Sequence, residues 1–261
     1  MYVVALMELS GTVEAEAAAL AADLGTTAYE ERLKLVGGLP VIVLTSAEKP
    51  PAQLLGGKMR ARGQGVLAVD TARVTGAADM VSMRRFDFET GGLLQRDTGA
   101  RLPFSDILAL VRAVHRTQTE TRTETQHIKL SLGKAVLTGG LAMTKKVTRE
   151  DKSVATDRSN VLYLFRASGE TPWLLQERTT DYSALGPDLA PSSMQNFLTT
   201  IARLRAAAPT ALYDERLTQP GAMPKSTLCS TAPGRMSSSS ASGVDLMASL
   251  IALWHRRQVL G

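Results

Sequence analysis

Threonine occupies every second position from 117 to 125 in the stretch TQTETRTETQ, and the positions between carry only glutamine, glutamate and arginine. Period two with β-branched residues is a strand pattern, because successive side chains point to opposite faces. Both faces here are polar. Such a strand finds no place inside a core, so it must be an edge, an arm that leaves the body, or a segment without fixed structure.

The flanks favour an arm. Outward, the apolar run ILALV gives way to polar HRTQTETRTETQ and then to IKLSLGKAVLTGGLAMT; inward, polar KKVTREDKSVATDRSN gives way to apolar VLYLF. Two apolar roots, two polar stems and a mixed tip make an antiparallel hairpin inserted over 112–158, its stem held by cross-strand pairs of Thr, Glu and Arg. A two-stranded ribbon is only marginally stable alone, so it needs a partner, another copy, or its own tip folded back. An extended edge at 117–126 with no lysine, proline or bulge suits self-pairing. A two-fold axis near Arg122 would place it in diagonal reach of Glu120 and Glu124, with Thr121 and Thr123 donating to the ladder.

Around the arm the chain reads as α+β. Residues 1–72 give the order β-α-α-β-α-β. YVVALMEL is a strand, and SGTVEAEAAALAADLG a helix with Ser10 or Thr12 as N-cap and Gly25 as C-cap. A second helix begins at a capping box of Thr27 and Glu30, with Tyr29, Leu33 and Val36 on one face. PVIVLTS is a strand, a third helix runs from about Pro50 to Gly63, and GVLAVD is the last strand. YEERLKLVGGLPVIVL followed by EKPPAQLLGGKMRARGQGVLAVD resembles, over residues 2–70, the C-terminal domain of the bacterial ribosomal stalk protein, which implies that fold. That family carries factor-docking lysines on its first two helices, whereas EAEAAALAADLGTTAYEERLK is mostly acidic and alanine, so the resemblance carries the fold and no factor recruitment.

Residues 80–217 form a β-rich region. A strand at MVSMRRFDFE turns at Gly91-Gly92, a Ser-Gly turn joins SNVLYLFRA to TPWLLQERTTDY, and a helix at 191–209 capped by Ser192 or Ser193 turns Phe197, Ile201 and Leu204 inward. The layout is similar to a pleckstrin-homology-like barrel closed by a C-terminal helix. Residues 218–243, rich in Pro, Gly and Ser, bury too little apolar area to fold and read as a flexible tether. The tether ends in an amphipathic helix, 244–261, with Val244, Met247, Leu250, Ile251 and Trp254 on one face. This face docks on its own chain or serves, through Leu250 and Trp254, as a peptide for a partner groove.

Motifs for chemistry are sparse in this chain. Neither GGK at 56–58 nor LGKAVLTGG at 132–140 has phosphate-loop spacing. His115, His127 and His255 are far apart, read as surface residues, and have no ligand partners nearby. The close acid pairs, Asp87 with Glu89 and Asp214 with Glu215, read as solvated. An enzyme would require Asp87, Asp106 or Asp181 to meet in one deep pocket. No metal, cofactor or catalytic residue is assigned. Cys229, the single cysteine, excludes an internal disulfide, and the start MYVVALMEL lacks a basic leader, so the chain reads as cytoplasmic without a membrane span.

The net charge is +5, and it lies in the arm. Arg112, Arg116, Arg122, Lys129, Lys134, Lys145, Lys146, Arg149, Lys152 and Arg158 face only five acids between residues 112 and 158. The first reading is therefore a non-catalytic interaction or assembly protein that docks a protein partner or its own copy, as a homo-oligomer, through the arm and the tethered helix. The alternative is a sequence-independent binder of nucleic acid or an anionic surface through the basic arm, where no aromatic residue offers base stacking. An enzyme without a recognisable motif is the third.

Overall fold

The computed structural model describes residues 1–130, 144–219, 227–232 and 235–260; for 119–130, 144–154, 227–232, 235–237 and 260 it describes the backbone alone. The protein is α+β. Its first unit has the expected order: β1 (Tyr2–Glu8), α1 (Val13–Leu24), α2 (Ala28–Val36), β2 (Val41–Ser46), α3 (Lys49–Ala61) and β3 (Gly65–Asp70). The strands form an antiparallel sheet in the order β2-β1-β3.

Local signals fix the helix ends here. The Thr12 side chain accepts from Ala15 N to open α1, and Gly25 closes it in the left-handed conformation that glycine adopts without strain. Thr27 and Glu30 make both bonds of the capping box that opens α2. On one side of the sheet Val4, Leu6 and Val66 pack with Leu20, Leu35, Leu55 and Met59 from the helices. Tyr29, Leu33 and Val36 do share a face of α2, but that face is outside: they are 67%, 57% and 63% exposed, while Leu35 and Glu31 turn inward. Periodicity identifies a face without saying which way it points.

The expected single strand at 80–89 is two. β4 (Val81–Ser82) belongs to the large central sheet, and β5 (Phe86–Glu89) pairs with β6 (Gly92–Gln95) and then β7 (Arg101–Pro103) in a small sheet of its own. The central sheet is built on β8 (Ile107–Leu130) and β9 (Thr144–Arg166), antiparallel throughout, followed by β10 (Trp173–Gln176) on β9. Helix α4 (Ser193–Ala207) is capped by Ser192 and buries Phe197, Ile201 and Leu204, as its pattern requires. The short β11 (Leu212–Asp214) then runs parallel to the root of β8.

Beyond β11 the sequence expectation fails. Instead of a free tether, the chain forms β12 (Thr227–Ala232) and β13 (Arg235–Ser239), and β13 adds to β8 with Ser239 opposite Thr117 and Arg235 opposite Thr121. Backbone ladder bonds do not depend on apolar side chains, so a Ser-rich segment can be ordered by a strand edge that already needs a partner. Helix α5 (Ala241–Leu260) follows at once.

Alternation along β8 and β9 divides the core. Ala109, Val111, Ala113, Val161, Tyr163 and Phe165 face α5, which contributes Val244, Met247, Ala248, Leu250 and Ile251. The same cluster takes in Ala5, Met7 and Leu67 from the far face of the first sheet. Leu110, Leu162, Leu164 and Trp173 face the other way, onto α4 and the small sheet. Helix α5 is thus an internal layer between two sheets. This corrects the reading of a detachable helix: Leu250 is 0% exposed, and the Trp254 indole Nε1 donates to Glu8 Oε1 at 2.9 Å. A sheet with apolar residues on both faces requires a second cover, and the amphipathic face of α5 is that cover.

Candidate functional site

The arm and its root form the most distinctive feature of the surface. Over Ile107–Ala113 and Val161–Arg166 the two strands are buried on both faces, and at Gln118 and Ala155–Arg158 they are exposed. β8 then continues about 40 Å to Leu130 at roughly 3.3 Å per residue. At its base the ribbon is four strands wide, in the order β12-β13-β8-β9. Beyond Thr121, among the described residues, it is two. The extra strands supply the support that a lone hairpin lacks, and they come from the segment whose composition suggested a tether.

They also revise the expected self-pairing. With β13 laid along Thr117–Thr121, that edge of β8 is occupied, so a two-fold axis at Arg122 cannot use the whole stretch 117–126. Ser240 extends the pairing by one step: its N donates to Arg116 O and its Oγ accepts from Arg116 N, both at 2.9 Å. The chain then turns into α5 across the face of the sheet.

A buried polar network fastens this junction. Tyr163 Oη donates to Asp245 Oδ1 at 2.6 Å, and His115 Nε2 lies 2.7 Å from Tyr163 Oη. Because the phenol proton is committed to Asp245, the proton of the second bond must sit on His115 Nε2. The other carboxylate oxygen, Asp245 Oδ2, accepts from Ala77 N at 2.9 Å. Strand β8, strand β9, helix α5 and the linker after β3 meet at these four groups. Burial pushes the His115 imidazole below its ordinary 6.5, and the Asp245 charge pulls it only partly back. Burial, then the charge and hydrogen bond of Asp245, lift the Tyr163 phenol well above 10.0. His115 is therefore a largely covered structural residue, its side chain 12% exposed, against the expectation of a surface histidine. Only its place at the end of an apolar run hints at this in the sequence, and nothing there points to Tyr163 or Asp245.

Register places the other expected site residues. Thr121 lies opposite Ser153, Arg122 opposite Lys152, Thr123 opposite Asp151, Lys129 opposite Lys145, and Lys146 opposite Ile128; Lys134 lies outside the described residues. Alternation puts Arg112, Arg116, Arg122, Lys146, Lys152 and Arg158 on one face of the ribbon with Glu120, Glu124 and Glu150. Lys129, Lys145 and Arg149 fall on the other with Asp151 and Asp157. Six of the nine basic residues of the arm that the structure describes therefore share one face, with three acids among them. At the root Arg112 pairs with Glu215 at 3.5 Å. Leu250 and Trp254 are separated from the arm's outer part and belong to the core layer.

The acids considered for catalysis do not meet. Arg96 Nε bonds Asp87 Oδ2 at 2.7 Å and holds its carboxyl below the usual range. Asp106 is opposed by burial, but bonds from Ser168 N, Arg166 and the Ser168 hydroxyl outweigh that and hold it low. Asp181 accepts from Ser183 N. Asp214, read from the sequence as solvated, is buried and takes bonds from Arg216 N and its guanidinium; Arg216 follows it by two residues, and the turn after β11 brings the pair together. GGK at 56–58 lies within α3, as its spacing implied. Among the described residues no helix is long and apolar enough to cross a membrane.

No family model, curated protein or solved structure matches this chain.

Proposed function

We propose that this is a non-catalytic docking or assembly protein whose working element is the outer arm, from Thr121 to the tip and back to Ser153. The observation that carries the reading is the paired run of β8 and β9 beyond Ala113 and Val161, the last residues of the two strands that share in a core among those whose side chains are described. Backbone pairing over that length presents strand edges well beyond the buried root. Beyond the reach of β13, the described part of the ribbon offers both edges to an added strand, the mode in which ladder hydrogen bonds bind and alternate side chains select. A protein partner or a second copy of the chain fits this chemistry, and self-association is the form we favour. The docking role expected of the C-terminal helix is not part of this reading, because that helix is a layer of the core.

Light scattering of the intact chain at tens of micromolar tests the reading. It should show a homo-oligomer, and a variant that joins Thr121 to Ser153 by a short turn should be monomeric and melt within a few degrees of the parent. A monomeric parent would remove the self-assembly reading. A variant that fails to fold would show that the outer arm belongs to the body.

Sequence-independent binding of an anionic surface is the second reading, supported by the excess of basic residues between 112 and 158. The three acids on the more basic face, and the pairing of Arg112 with Glu215, weaken it. Elution from heparin at low salt would exclude it. The likeness of residues 2–70 to the ribosomal stalk domain and that of the middle region to a pleckstrin-homology barrel are proposals about fold alone; the β2-β1-β3 sheet with its helical hairpin supports the first.

A further inference from the structure

A crevice of about 120 Å³ opens where the last turns of α5 pass the β9–β10 turn and the short helical turn after β3. Arg73 and Thr75 line one side, Ser249 and Arg256 of α5 another, and Arg166 and Gly169 a third. Three guanidiniums share this small space with one lining carboxylate, Glu170, and that carboxylate is held by Arg166. Arg166 also binds Asp106, through Nε at 2.6 Å. The one lining acid and Asp106 are therefore committed to the same arginine. Among the described residues neither Arg73 nor Arg256 pairs with a carboxylate.

The position of Arg256 is built into the backbone. Its guanidinium donates to Arg166 O and lies over Gly169, where a Cβ would stand 3.0 Å from Nη1. Gly169 also has φ +83°, a conformation that side-chain-bearing residues rarely adopt. Glycine thus makes the turn and leaves the guanidinium its place. A second observation is independent of charge. Ser249 is 5% exposed, and its Oγ has no hydrogen-bond partner, although a buried hydroxyl without a bond is costly.

We propose that this crevice binds a phosphate group, with Arg73 and Arg256 as the charged donors and the Thr75 and Ser249 hydroxyls completing the set. Two guanidiniums on different walls, together with two hydroxyls, call for acceptor oxygens spread in three dimensions. A carboxylate has two in one plane, whereas phosphate has them arranged tetrahedrally. A bound phosphate would connect the segment after β3 to α5, and would stabilise the junction of the first unit with the central sheet by mass action.

Calorimetric titration of the full chain with inorganic phosphate, glycerol 3-phosphate and acetate, at constant ionic strength set by sodium chloride, tests this. Saturable binding of at least one phosphate compound is expected, with acetate at least tenfold weaker. Arg73→Gln, at an exposed position, should weaken phosphate binding at least tenfold, while Arg178→Gln, on an exposed ion pair with Asp157, should leave it unchanged. Ser249→Ala should melt no lower than the parent without ligand, yet bind phosphate more weakly, a combination that a purely structural serine would not produce. Tighter binding of the ester than of inorganic phosphate would identify a phosphorylated small molecule as the ligand, and equal binding would identify the free ion. Absence of saturable heat with either phosphate compound, acetate binding as tightly as phosphate, or equal affinities of the parent and Arg73→Gln would overturn the proposal.

Discussion

Truncating Leu250 separates an internal helix from a detachable one. Its side chain is fully buried in a cluster shared by Met7 and Leu67 of the first sheet and Val111 and Tyr163 of the central one. Leu→Ala in a core costs about 2–5 kcal/mol, with the upper range where the surroundings cannot collapse into the space. Two sheets held apart by a whole helix are poorly able to close on one missing side chain, so Leu250→Ala should cost about 3–5 kcal/mol. For a chain of this size each kcal/mol moves the midpoint by roughly 2–4 °C, so Tm should fall by roughly 6–20 °C. Urea unfolding gives the free energy, and near-UV circular dichroism of Trp173 and Trp254 reports whether both layers loosen together. Val259→Asp on the exposed end of the same helix is the control, expected within about 0.5 kcal/mol of the parent. A loss below about 1 kcal/mol for Leu250→Ala would refute the layered core and restore the tethered helix that composition alone suggested.

Stability should fall on both sides of neutral pH for separate reasons. Below 6.5 the unfolded chain protonates His115 while the folded chain resists, so stability declines as pH drops, by up to about 1.4 kcal/mol per pH unit, and His115→Phe should remove that limb of a urea-midpoint profile. Above 10.0 the unfolded chain ionises Tyr163 and Tyr182 while the folded chain keeps both protonated, so stability declines as pH rises. Tyr163→Phe strips Asp245 and His115 of their shared partner and should cost about 1–3 kcal/mol at pH 7, read from the same unfolding curves. Gly92→Ala should cost about 1–3 kcal/mol, because the new Cβ would stand 2.5 Å from Leu102 O, a backbone atom fixed by the β6–β7 ladder; a midpoint equal to the parent's would contradict that pairing.

What the sequence determined was what neighbours along the chain can settle. The caps of α1 and α2, the inward face of α4, and the strand period of β8 and β9 each depend on residues within a few positions of one another, and each appears where the pattern placed it. The polar stem, too, could be placed outside the core, because threonine, glutamate and arginine at strand period bury nothing. What only the tertiary structure decided was which surfaces meet. Tyr29, Leu33 and Val36 form a face as regular as that of α5, yet one is left outside and the other lies between two sheets. Amphipathicity measures the tendency to be covered, and not the identity of the cover. The Ser-rich segment before α5 lacks apolar area, so composition marks it as free, whereas β13 is ordered by backbone groups that every residue except proline carries in the same form. The contact of His115, Tyr163 and Asp245 spans three elements far apart in sequence, and it exists because β8, β9 and α5 come together at the root of the arm.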